Sequence, residues 1–67
     1  MKNKERKNLA NKIAKAEWII QNSNDPQKVK KAEAEIFNLS SHVDKLEDMT
    51  IIDEMVQEIL SSKKFDI

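Results

Sequence analysis

Apolar residues recur along this chain at helical spacing. Leu9, Ile13, Ala16 and Ile20 follow at steps of four, three and four, one stripe on a helix running from about Lys4 to Gln21. The stretch Asn22-Ser23-Asn24-Asp25-Pro26 then stops one helix and starts the next. Asp25 is a good N-cap, and Pro26 suits the first helical position, where its missing N–H is not needed. From Pro26 a second stripe, Val29, Ala32, Ile36, Leu39, Val43 and Leu46, keeps the three–four alternation of a heptad seam. The short connection over 22–25 forces the two helices antiparallel. Folded about Asn24, Ile20 meets Val29, Ala16 meets Ala32, Ile13 meets Ile36 and Leu9 meets Leu39, so the layers match themselves.

In that register Val43 and Leu46 face Arg6 and Asn3, and something else must cover them. The segment Ile51, Ile52, Met55, Val56, Ile59, Leu60 has a broad apolar face, wider than a two-helix seam requires. Thr50 with Asp53 three residues on resembles a capping box. The preferred reading places a break near Asp48–Thr50. A single helix from Pro26 to Ser62 is the alternative, since neither Gly nor Pro forbids it. The expected fold class is all-α: one small domain over 1–67, an antiparallel helical hairpin (helix 1 about 4–21, helix 2 about 26–48) plus a shorter third helix (about 51–62) and a tail over 63–67. This small three-helix bundle is expected to be completed by self-association. One core in a chain of 67 residues, with no disulfide or metal set, seldom supplies more than ~3–5 kcal/mol.

Composition narrows the chemistry. There is no Gly, no Cys, no Tyr and a single Pro. Without Gly there is no phosphate-cradling loop. Without Cys there is no disulfide frame, zinc knuckle or thiol nucleophile. No run approaches the ~18 apolar residues of a membrane span. The basic start, Met1 to Lys7, lacks the apolar stretch of a secretory signal. The expectations are therefore a cytoplasmic protein with no membrane contact, no cofactor and no metal. Heavy use of Lys, Asn and Ile has the flavour of an AT-rich genome, such as many phages have.

Charge is zero in sum but not in place, with 12 basic and 12 acidic residues. Up to Lys31 the chain holds nine Lys/Arg against Glu5, Glu17 and Asp25; after it, nine acids face Lys45, Lys63 and Lys64. In the hairpin, Lys2, Lys4, Arg6 and Lys7 lie beside Asp44, Glu47 and Asp48, pairs that fix orientation at ~0–1 kcal/mol each. A basic patch of Lys4, Lys7 and Lys15 is the alternative use of the same charge, on nucleic acid. Lys28, Lys30 and Lys31 in the first turns of helix 2 oppose the helix dipole.

All three aromatic residues fall off the first seam. Trp18 points almost opposite the Leu9–Ile20 stripe, among Lys7, Asn11, Ala14, Lys15 and Asn22. Phe37 sits well off the Val29–Leu46 stripe, and Phe65 is in the tail. Trp18, Phe37, Ile52, Met55, Val56 and Ile59 are the candidate interface. His42 alone makes no metal site. Ser40, Ser41 and His42 contain the atoms of a nucleophile–base pair, but neighbours on one helix point apart and no oxyanion loop exists. A helix-turn-helix reading fails because its recognition helix would carry Asp53, Glu54 and Glu58, which phosphates repel. The reading is a non-enzymatic helical interaction module that binds itself and acts on a partner protein's surface. The alternative is a nucleic-acid accessory protein.

Overall fold

The computed structural model describes residues 1–62 and is all-α, a small three-helix bundle. Helix α1 spans Asn3–Asn22, α2 Pro26–Ser40 and α3 Leu46–Ser62. The first turn forms as its residues dictate. The Asp25 carboxylate accepts the Gln27 amide at 3.0 Å and Pro26 opens α2. Asn22 Nδ2 donates to the Trp18 carbonyl at 2.9 Å, and the Ser23 amide closes α1 on the Ile19 carbonyl.

The second break lies elsewhere than expected. α2 ends at Ser40, not near 48, and α3 begins at Leu46, not at 51. The expected capping box does not form: Thr50 is inside α3, and its hydroxyl donates to the Leu46 carbonyl at 3.0 Å. The heptad stripe of α2 therefore stops at Leu39. Val43 packs against the core from the linker, whereas Leu46, expected on the seam, is 84% exposed.

Helix α1 is the centre of the bundle and packs against both others. Its α2-facing side carries the expected stripe. Ile13, Ala16 and Ala32 are buried, and Leu9, Ile36 and Leu39 are partly so. A second buried face was not foreseen. Ala10 and Ala14 are both fully buried and cluster with Ile13, Ile52 and Val56. At ~100° per residue, this alanine pair is centred about 120° from Leu9, with Ile13 between the two faces. Two methyl side chains one turn apart let α3 approach α1 closely and seat Ile52 and Val56 over them. Met49, Met55, Ile59 and Leu60 pack around that contact.

Helix α3 lies across α1 rather than alongside it. Asp48 in its first turn meets Arg6, while Glu58, Ile59 and Ser62 share a groove with Asn3 and Lys7. Those ends are ~21 Å apart along α3, at 1.5 Å per residue, yet both reach the first two turns of α1. α2 and α3 share no comparable interface. Tail residues 63–67, Phe65 among them, lie outside the described residues.

Ile13 carries both faces, so Ile13→Asp should abolish cooperative unfolding, because it buries an unpaired carboxylate against α2 and α3. Leu46→Lys, measured by thermal melting in dilute solution, should change stability by less than ~0.5 kcal/mol. A seam leucine would instead cost ~2–5 kcal/mol on removal.

Candidate functional site

The six apolar residues proposed for an interface separate into two groups. Ile52 and Val56 are buried inside the chain against α1, and Met55 and Ile59 are half-buried against the same core. Their broad face is therefore used intramolecularly, because α1 offers a second apolar side. Phe37 is different: it is 75% exposed on α2, next to exposed Ala34. With Leu46 it makes two large apolar side chains in water, one on each side of the 41–45 linker. Leu46 was missed as a surface residue because the stripe pattern assigned it to the seam. Trp18 stands ~60° beyond the Ala10–Ala14 direction. It is half-buried and its indole nitrogen is shielded from solvent, so a second subunit is not needed to account for its burial.

The three lysines of the candidate basic patch are all exposed on α1, and two of them border different grooves. Lys7 borders the α1–α3 groove with Glu58. Lys15 borders an α1–α2 groove with Lys12 and Glu35. Each thus shares its groove with a carboxylate from another helix, which weakens the field either could present to a phosphate backbone.

Of the pairs expected between Lys2, Lys4, Arg6 and Lys7 and Asp44, Glu47 and Asp48, the one among the described ion pairs is Arg6–Asp48, and Asp48 comes from α3 rather than from the end of α2. Arg6 Nε donates to Asp48 Oδ1 at 3.0 Å, and the Met1 amino group is 4.0 Å from Oδ2. Asp48 is only 6% exposed, the one buried charged side chain among the described residues. It also lies in the first turn of α3, where negative charge complements the helix dipole. A charge-assisted bond whose carboxylate is buried orients strongly, so this pair helps to fix where the first turn of α3 meets α1.

Glu17, on the α3-facing side of α1, is the contrary case. Burial pushes its carboxyl pKa up from the usual 4.5, and the Asp53 charge raises it further. No cation is placed to compensate among the described ion pairs.

The Ser41 hydroxyl donates to the Asn38 carbonyl at 2.6 Å, so its proton is held by the backbone and not by a base. His42 is exposed in the linker. Among the described residues, no three His, Asp or Glu side chains converge on a point that could hold a metal ion. No helix among them is long and apolar enough to cross a membrane. Comparison with protein-family models, curated proteins and solved structures found no match for this chain.

The Glu17 environment sets a pH dependence. A carboxyl whose pKa is raised by folding binds its proton more tightly in the folded state. Its favourable contribution is present below the ordinary pKa of 4.5 and is lost as pH rises through the higher folded value. Glu17→Gln should therefore raise the melting temperature at pH 7 and flatten the fall in stability above pH 4.5. A mutant that melts lower than wild type at pH 7 would show that Glu17 is favourably placed.

Proposed function

We propose that this protein is a non-enzymatic helical interaction module that associates with a second copy of itself and acts in the cytoplasm by occupying a partner protein's surface. The observation that carries this reading is the pair Phe37 and Leu46, large apolar side chains left 75% and 84% exposed on either side of the linker. A chain this small has few apolar residues to spare, and most of its others are needed for a core in which four of the seven buried hydrophobic residues lie on α1. Aromatic side chains are frequent anchors where two proteins meet. The backbone-held Ser41 hydroxyl and the isolated His42 support the non-enzymatic part of the reading. The nucleic-acid alternative is the weaker one, because Lys7 and Lys15 share their grooves with Glu58 and Glu35.

Light scattering coupled to size-exclusion chromatography tests this directly. The mass should rise above 7.8 kDa with concentration, and the double variant Phe37→Lys, Leu46→Lys should hold at the monomer mass. A wild-type chain that remains monomeric at the highest concentrations reached would overturn the reading. Tight nucleic-acid binding with a steep salt dependence would promote the alternative.

A further inference from the structure

We infer that this chain pairs with its second copy by exchanging α3: the 41–45 linker straightens, α2 and α3 become one helix, and α3 docks on α1 of the other chain. The inference rests on the self-association proposed above and gives it a route.

Four features of the linker region lead to it. First, the break between α2 and α3 is soft. Ser41-His42-Val43-Asp44-Lys45 contains no Gly or Pro, and no described residue has a positive φ. A left-handed residue or a following proline makes a firm helix stop. Here Ser41 is still in right-handed helical conformation, with φ −68° and ψ −15°. The next amides tighten the turn instead, His42 bonding the Leu39 carbonyl and Val43 the Ser40 carbonyl. Second, the heptad stripe of α2 runs on through the break, from Ile36 and Leu39 to Val43 and Leu46. The folded-back chain leaves its last member, Leu46, 84% exposed. Third, α3 is held by α1, and no comparable interface ties it to α2. Exchange therefore breaks one interface, that of α3 with α1, which the partner chain re-forms, and gives up little between α2 and α3. Fourth, the surface α3 would leave is identical on a second copy. Ala10 and Ala14, Ile52 and Val56, and the Arg6–Asp48 pair all re-form between chains as they form within one.

Straightening also repairs what the monomer leaves open. A continuous helix over 26–62 is about 55 Å long at 1.5 Å per residue. Its backbone would recover the helical hydrogen bonds interrupted over 41–45. Where two such helices cross antiparallel beside Val43, Leu46 comes within one residue of the partner's Leu39. Exposed Leu46 thus has a place in the exchanged pair and none in the single chain. The balance depends on concentration, because the closed chain keeps its own α3 near at all times while exchange needs an encounter.

The test uses two single-cysteine chains, Lys7→Cys and Glu58→Cys, whose sites border one α1–α3 groove and whose background contains no other cysteine. The chains are unfolded together, refolded at high concentration and treated with a short thiol-to-thiol cross-linker. Exchange predicts a covalent mixed dimer. Asp44→Pro in both chains should cut its yield to background, because proline cannot sit inside the fused helix. The closed form should tolerate that change, since the Asp44 amide takes no part in the bonds that close α2. Circular dichroism of the dilute proline variant checks that it stays helical. Ser41→Ala with Asp44→Ala, which favours helix through the linker, should raise the yield and gives a second arm independent of proline. A mixed dimer whose yield neither the proline nor the alanine changes overturns exchange in favour of contact between folded surfaces. So does a dimer by light scattering that gives no cross-link, and in both cases self-association stands. A chain that is monomeric by light scattering and gives no cross-link overturns both.

Discussion

The close seat of α3 on two alanines of α1 is the contact on which the rest of this small structure depends. Ala10 and Ala14 carry no bulk of their own, so Ile52 and Val56 can reach the backbone of α1 and be buried. Without that approach, α1 would have a single apolar stripe and α3 would have nothing to cover it. Ile13, between the two faces of α1, ties both packings into one core. An interior close-packed in this way responds to a change of even one methylene, and a core of this size has no second layer to absorb it. The architecture is thus a central helix with a neighbour on each side rather than three equivalent helices.

Electrostatics arranges what packing leaves free. The chain's basic first part and acidic second part are brought together by the Arg6–Asp48 bond, between a half-buried guanidinium and a buried carboxylate at the entry to α3. A partly buried pair of this kind adds little net stability over apolar packing, but removing Arg6 would strand the buried Asp48 carboxylate. The cost of the same compactness falls on Glu17, held near Asp53 in partial burial. Both effects follow from placing an acidic helix across a basic one at close range.

The hairpin was legible because its punctuation is explicit. Asn22 to Pro26 carries its own stop and start, an N-cap aspartate followed by proline, and the stripes on either side match in register. The second break was misplaced because Ser41 to Lys45 carries no such signal. The helix there ends through tertiary packing of α3 on α1, which no local propensity records. The alanine face was missed for a related reason. Ala10 and Ala14 sit among Lys7 and Asn11 in sequence, and alanine marks neither an apolar nor a polar face by itself. With that face unseen, the apolar side of α3 was assigned to an interface between chains. The structure returns Ile52 and Val56 to the interior and leaves Phe37 as the part of that surface still in water. The broad face of α3 was real; its partner was on the same chain.

The central claim is that α3 is held by close approach to the Ala10–Ala14 face, and amide hydrogen exchange at Ile52 and Val56 tests it most directly. In Ala14→Leu the added bulk should lift α3 from α1. Protection at those two amides should fall, with a loss of ~1–3 kcal/mol as expected for an overpacked core. The control Ala34→Leu, on the exposed side of α2, should leave protection unchanged. Full protection of Ile52 and Val56 in Ala14→Leu, at wild-type stability, would contradict the account and place α3 somewhere other than on these alanines.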